Sequence, residues 1–355
     1  MLEKVVEKLR CPLDLKPLHL EISARGAYDH IITGQLCCKT CQVTYPIQRG
    51  VPDLLPPESA QVDGQDLAHL QAETIDRFGF EWRHFRDWGW LTDYPDVPEA
   101  TEKFYGGLIR DTQAAFKNKT LFREGDLQPN HWVLDAGCGN GRFVNQAAQA
   151  EAEVIGVDLG WGVYSAFEHL QSWPNVHIVR GDLFRLPFAD STFDRIFSIG
   201  VLMHTGNAGA AFDSIARTLR PNGLIVAHVY GRGLLAYEVL DHLIRTVIIR
   251  LPIGKQMMFA RLMASAARWL RQGKVRRQLY RGLFSLINFL PTEIHMFDWW
   301  AAPVASHHTP LEVADWFARN QLQIVRTKPL LEDARAERAR RRQHAAITML
   351  GRRSV

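Results

Sequence analysis

The chain has 355 residues, 46% hydrophobic and 23% charged, the ordinary balance of a folded globular protein and enough for one large domain or two modest ones. A formal net charge of +4 is too small by itself to mark a nucleic-acid binder. No apolar run reaches the length of a membrane span, and Met1 to Arg10 is charged with no apolar secretory core, so a cytoplasmic protein is expected.

Residues 1–57 form the first expected unit. Strand-like runs (Leu18 to Ile22, His30 to Gly34, Val43 to Ile47) alternate with turns, and Pro52, Pro56 and Pro57 close it. Cys11, Cys37, Cys38 and Cys41 crowd into this unit. In a reducing compartment such a cluster points to metal binding more than to disulfides. A polar stretch from Glu58 to Gln65 follows, then a segment dense in aromatics: Phe78, Phe80, Trp82, Phe85, Trp88 and Trp90. Residues 58–130 are therefore expected to be an aromatic, helical linker or lid.

From His131 the pattern turns to strand–helix alternation, the mark of a parallel sheet. Strands are predicted at Trp132 to Ala136, Val154 to Asp158, Val176 to Val179, Phe193 to Ile199 and Leu224 to Tyr230, the last entered through the turn Pro221-Asn222-Gly223. A helix is predicted over Gly141 to Ala150. Residues 131–230 thus read as the main part of the core, five strands of an α/β, Rossmann-like, doubly wound and mostly parallel sheet that reaches seven with the last two strands of the chain. Three helices follow in an insertion over 231–308, a candidate substrate cap, set by Leu240 to Leu251, by Phe259 to Leu270 and by Leu279 to Ile287. Over 309–355 the core resumes. Thr309 and Glu312 have the spacing of a capping box with Pro310 at the first helical position. The final strands are predicted at Leu322 to Thr327 and Ala345 to Leu350, with a basic run, Arg335 to Arg342, between them.

The densest signal is Val133-Leu134-Asp135-Ala136-Gly137-Cys138-Gly139-Asn140-Gly141. Glycine removes the Cβ that would strike a ligand, and the helix start offers unpaired N–H groups. In the dinucleotide pattern Gly-x-Gly-x-x-Gly the third glycine would fall at Arg142, so a ligand without a pyrophosphate suits this loop better. Asp158 ends the second core strand, where a carboxylate can take both ribose hydroxyls. Asp182 ends the third, where a carboxylate can accept from an adenine amino group beside the Leu183 N–H. Three acidic groups from successive strand ends line one edge of the sheet, where open α/β sheets bind ligands.

These residues, with Gly-Asp-Leu-Phe-Arg-Leu-Pro-Phe at 181–188, Phe-Asp-Arg-Ile-Phe-Ser-Ile-Gly-Val-Leu-Met-His at 193–204 and Leu-Arg-Pro-Asn-Gly at 219–223, resemble the class I S-adenosylmethionine-dependent methyltransferases of the broad type-11 family. The resemblance implies that Asp135, Gly137 and Gly139 surround the methionine part of S-adenosylmethionine, Asp158 the ribose, and Asp182 with Leu183 the adenine. Cys138, Leu159 and Ser198 complete the expected cofactor set. Residues 9–55 resemble the zinc-ribbon domain of the activator subunit of RNA and protein methyltransferases. Cys38-Lys39-Thr40-Cys41 is one knuckle and Cys11-Pro12-Leu13-Asp14 stands in place of the other. Either structural zinc is held by Cys11, Cys38 and Cys41 with Asp14 or Cys37 as the fourth ligand, or the ribbon has lost its metal and holds by its hairpins.

The acceptor side is less explicit. His204, just past the fourth core strand, is a candidate catalytic base or a helix cap. His308, after His307 and before the Thr309 cap, is a second candidate base, on a loop that folds over the pocket or only packs there. Phe78-Gly79-Phe80-Glu81-Trp82 reads as part of a lid or as a clasp between ribbon and core. The insertion carries ten basic residues from Arg245 to Arg281 against Asp241. That charge suits an anionic membrane or acidic lipid-like substrate, or is simply a solvated face. The reading preferred overall is methyl transfer to a small or lipid-like acceptor by a cytoplasmic enzyme, with peripheral membrane contact through the basic insertion as the alternative to a solvated face. An RNA methyltransferase and a non-catalytic scaffold acting through the ribbon are the alternatives; a nucleic-acid partner is not favoured.

Overall fold

A computed structural model describes residues 1–57, 65–91, 109–284, 289–328 and 346–354, with Glu99, Thr101 and Ile287. Of the polar stretch predicted at Glu58 to Gln65, residues 58–64 lie outside the described residues, as does the basic run at 335–342. The amino-terminal unit is an antiparallel sheet in the order β1 (Leu18–Arg25), β2 (Ile31–Cys38), β3 (Thr44–Gln48), β4 (Val51–Pro52). Its inner face is Ile31, Leu36, Cys38, Tyr45 and Ile47, all buried.

The main sheet has seven strands in the order β10-β11-β9-β8-β5-β6-β7. The strands are β5 (Trp132–Ala136), β6 (Glu153–Asp158), β7 (Val176–Arg180), β8 (Phe193–Ile199), β9 (Leu219–Val229), β10 (Leu322–Lys328) and β11 (Ile347–Arg353). β5 to β9 pair in parallel. β11 enters antiparallel between β9 and β10. The expected doubly wound sheet is therefore present. Its central strands read as short apolar runs because helices cover both faces. β9 runs through the predicted turn, with Asn222 at φ +62°.

The chain crosses from β7 back to β8, which lies beside β5, so the strand order reverses between β5 and β8. Open α/β sheets leave a crevice at that point. The helices of the core are α2 (Thr112–Thr120), α3 (Arg142–Ala148), α4 (Gly162–Leu170), α5 (Ala208–Arg217) and α10 (Pro310–Arg319). α10 carries the predicted capping box, Thr309 accepting from the Glu312 N–H while Glu312 accepts from that of Thr309.

Of the aromatic segment, Phe78, Phe80 and Trp82 lie on α1 (Gln65–His84), and Phe85, Trp88 and Trp90 lie in the turns that follow it. The insertion holds the three expected helices, α6 (Leu235–Ile248), α7 (Ile253–Leu270) and α8 (Lys274–Phe284), and a fourth, α9 (Glu293–Ala301). α9 buries Ile294, Met296, Phe297, Trp299 and Trp300. It is apolar nearly all round, so it lacks the one-sided period that betrays a surface helix.

The small sheet is fused to the large one. The Leu54 N–H donates to the Arg180 carbonyl, an isolated bridge at the β7 edge, and the Arg10 N–H donates to the Pro187 carbonyl. Leu9, Tyr45 and Ile47 share one apolar core with Ile155, Val179 and Phe188.

Candidate active site

A cavity of about 270 Å³ opens at the carboxyl ends of β5, β6 and β8. Its floor is the glycine loop. The Gly137 and Cys138 N–H groups donate to the Val157 carbonyl, which ties the loop to β6. Gly137 has φ +96° and a Cβ there would lie 2.2 Å from a Val201 methyl. Gly139 has φ +53° and its Cβ would lie 2.9 Å from the Trp82 indole. Both positions thus require glycine for conformation and for space.

Asp158 accepts from the Gly139 N–H (2.9 Å) and the Gly160 N–H (2.8 Å). Burial pushes its carboxyl up. Asp182 accepts from the Phe184 N–H at 2.9 Å and is likewise pushed up by burial. Asp158, Asp182, Gly137, Cys138, Gly139, Leu159 and Leu183 all line the cavity. Asp135 lies beneath it, 2% exposed, with an Oδ2 atom that has no partner. Burial and the nearby Asp158 hold its carboxyl well above the usual range. Ser198 is not brought to the cavity: it sits within β8 and its hydroxyl donates to the Ala136 carbonyl. Strand alternation explains this, since the cavity meets the end of β8 through Ile199, Gly200 and Val201.

The expected set omits Asn140. Its side chain donates to the Arg86 and Trp88 carbonyls, while the Trp90 indole donates to the Asn140 carbonyl. One side chain thereby fastens the aromatic segment to the glycine loop. Phe78 and Trp82 line the cavity and Phe80 packs with the insertion, so this segment joins pocket to insertion rather than ribbon to core.

His204 lines the cavity with its ring edge-on to Phe78 (5.0 Å) and Tyr230 (5.6 Å). Its Nδ1 is 2.7 Å from the Val304 carbonyl, which can only accept, so Nδ1 carries a proton. Nε2 is buried without a partner, and burial lowers the ring's pKa. A neutral imidazole in this tautomer holds a free lone pair at Nε2. His204 is not the cap of α5, since Asn207 fills that place.

Tyr230 donates to Asp298 at 2.8 Å. Glu81 is 3% exposed, and burial with the Asp298 charge raises its carboxyl well above the usual range. Lys119 and Arg142 lie over the Phe143 ring. Burial, helped by Arg142, pushes the Lys119 ammonium down to about 7. Carboxyls from α1 and α9 therefore share the cavity with basic groups from α2 and α3, and burial drives both Glu81 and Lys119 toward their neutral forms.

His308 is not brought to the cavity. Its Nε2 meets the Ser306 hydroxyl at 2.9 Å and its ring lies against Trp316. Its backbone exchanges hydrogen bonds with Tyr230 and Arg232, so the residue fixes the loop from outside. His307 is 2.6 Å from Glu238 and stacks on Trp299.

In the ribbon, Cys11, Asp14, Cys38 and Cys41 present ligand atoms that all lie within 4.8 Å of one another. A tetrahedral zinc about 2.3 Å from each thiolate puts the sulfurs about 3.8 Å apart, and Cys11 and Cys41 stand at 3.5 Å. The donor set fits zinc. Asp14 would take the fourth position and Cys37 would not; alternation along β2 turns Cys37 to the other face, where Thr44 donates to its sulfur.

Residues 134–227 match the family described as methyltransferase domain, and residues 3–50 the family described as Trm112p-like protein. Two separate stretches of this chain are thus similar to known families, one to a methyltransferase domain and one to a Trm112p-like protein. It is 35% identical over 98 residues to demethylmenaquinone methyltransferase of Corynebacterium kroppenstedtii, spanning 28% of this chain and 41% of that one. It is 30% identical over 152 residues to 24-methylenesterol C-methyltransferase 3 of Arabidopsis thaliana, spanning 40% of each. The chain thus spans less than half the length of these two curated relatives. Among solved structures, geranyl diphosphate methyltransferase in complex with SAM aligns at TM-score 0.44 and 15% identity, over 74% of this chain and 94% of that one.

Proposed function

We propose that this protein is an S-adenosylmethionine-dependent methyltransferase acting on a small or lipid-like acceptor. The observation that carries this reading is the convergence of Asp158, Asp182 and the glycine loop on one cavity at the strand-order reversal. S-adenosylmethionine supplies an electrophilic methyl group on a sulfonium. Asp158 would hold the ribose hydroxyls, Asp182 and the Leu183 N–H the adenine, and Asp135 with Gly137 and Gly139 would surround the methionine part. Phe78, Trp82 and Tyr230 wall the site, and aromatic faces suit a sulfonium cation. His204 Nε2 accepts a proton from the acceptor, with Glu81 and Asp298 as the nearby carboxyls. Orientation in a closed site supplies much of the rate, as in displacements generally.

Demethylmenaquinone and a methylene sterol, the acceptors in the two relatives' names, are small and lipid-like. A lipid-like acceptor is met at a membrane, and α6 to α8 carry the basic residues for peripheral contact with one. Zinc on Cys11, Asp14, Cys38 and Cys41 is structural in this reading, because four protein ligands leave no open position.

The test is transfer of label from methyl-tritiated S-adenosylmethionine into fractionated cell extract. Label in the organic-soluble fraction that disappears with Asp158→Ala supports the proposal. Label in nucleic acid instead, or binding without any transfer, overturns it in favour of an RNA enzyme or a scaffold.

A further inference from the structure

From His242 to Arg281 the sequence holds ten basic residues and no acidic one. The structure divides them. Arg245 is buried, pairing with Asp241 at 3.0 Å and donating to the Ala302 carbonyl. Arg261 pairs with Glu293, and Arg268 donates to the Pro291 carbonyl. Arg250, Lys255, Lys274, Arg277 and Arg281 are exposed, and among the described residues no carboxylate pairs with them.

Large apolar side chains stand exposed between these charges. On α6, Leu235 (81% exposed), Val239, Leu243 and Val247 (60%) recur every fourth residue, opposite the buried Tyr237, Asp241 and Arg245. On α7, Met258, Leu262 (63%) and Trp269 form a second stripe, opposite the buried Met257, Ala260 and Ala264. On α8, Val275 (81%) and Leu279 form a third. α6 and α7 lay their inner faces on α9 in one core, and α8 buries Tyr280 against the end of α7. A solvated basic face has no use for such stripes, and exposed apolar area of this extent marks an interaction surface.

We infer that α6, α7 and α8 dock this protein onto an anionic lipid bilayer, the leucine, valine and tryptophan stripes entering the headgroup boundary and the flanking arginines and lysines meeting lipid phosphates. Apolar residues interleaved with unopposed cations are the chemistry of an interfacial helix. A nucleic-acid surface needs the cations and not the apolar stripes. α9, beneath the docked helices, also lends Ile294, His295 and Asp298 to the cavity, so one helix separates the bilayer face from the acceptor site. The inference rests on the lipid-like reading of the acceptor, but docking is read without methyl transfer, so each can fail alone.

The experiment is sedimentation of the full chain with vesicles of phosphatidylcholine alone and of an equimolar mixture with phosphatidylglycerol. Binding to the mixed vesicles, weakened by salt and at least about tenfold weaker to the neutral ones, is expected. Leu262→Ser with Trp269→Ser, and separately Arg277→Glu with Arg281→Glu, should each weaken binding by about tenfold or more while leaving the thermal transition in place. Equal sedimentation with both lipids, or binding indifferent to both pairs of substitutions, overturns the inference. So does a chain that ignores vesicles but retains labelled RNA, or one that buries the stripes in a dimer.

Discussion

Asp158 serves the candidate site twice, as a cavity carboxylate and as the acceptor that pins Gly139 and Gly160. Asp158→Ala should therefore abolish cofactor binding and also loosen the loop. Asp158→Asn, which keeps an oxygen for one N–H, should bind weakly and melt near the wild type; calorimetry beside thermal melting separates the two roles. His204 makes a pH prediction. Burial lowers its pKa, so its neutral, proton-accepting form persists below the ordinary histidine value of about 6.5. The turnover of the wild type should stay flat as pH falls through that value and drop only below it. His204→Gln should remove that acid limb, and an unchanged limb would take His204 out of the reaction. At this scale the sequence was readable wherever a motif implies a backbone shape. The glycines and strand-end acids are in place because their spacing is the geometry. Ser198 and His308 were not readable, because their direction depends on pleat and loop packing. Asn140 stayed hidden because its partners are backbone carbonyls more than fifty residues away in sequence.

The apolar runs of β5 to β8 and the capping box at Thr309 predicted their elements closely, since burial on two faces and local hydrogen bonds are both written in adjacent residues. The insertion was legible as helices but not as a layer. Its charge looked uniform, yet Arg245, Asp241 and the Trp299 indole form one buried, hydrogen-bonded group. Breaking such a group strands a buried carboxylate, so Arg245→Met should cost about 3–5 kcal/mol in urea unfolding. Arg245→Met with Asp241→Leu should recover most of that loss. Neither change should weaken vesicle binding, because Arg245 faces inward. Equal losses for the single and double variants would mean that the pair is not what holds α6 on α9.

Over the whole molecule, the amino-terminal sheet and the seven-stranded sheet share one apolar cluster and a single bridge at the β7 edge. They should unfold together. Ile47→Ala, a ribbon substitution at a fully buried side chain, should cost about 2–5 kcal/mol and lower a single transition seen by both near-UV signal and cofactor release. Stripping zinc with a chelator should lower that same transition, and an ion bound by three thiolates and Asp14 should be lost more readily after Asp14→Ala. Two separated transitions would show instead that the ribbon is an appendage. The cavity's occupant decides what the whole molecule does. Titration calorimetry of the purified chain with S-adenosylmethionine tests its identity most directly. One molecule should bind per chain, with no binding to Asp158→Ala and none of NAD to either protein. A folded wild-type chain that binds no S-adenosylmethionine, or that binds it unchanged after Asp158→Ala, would contradict the account.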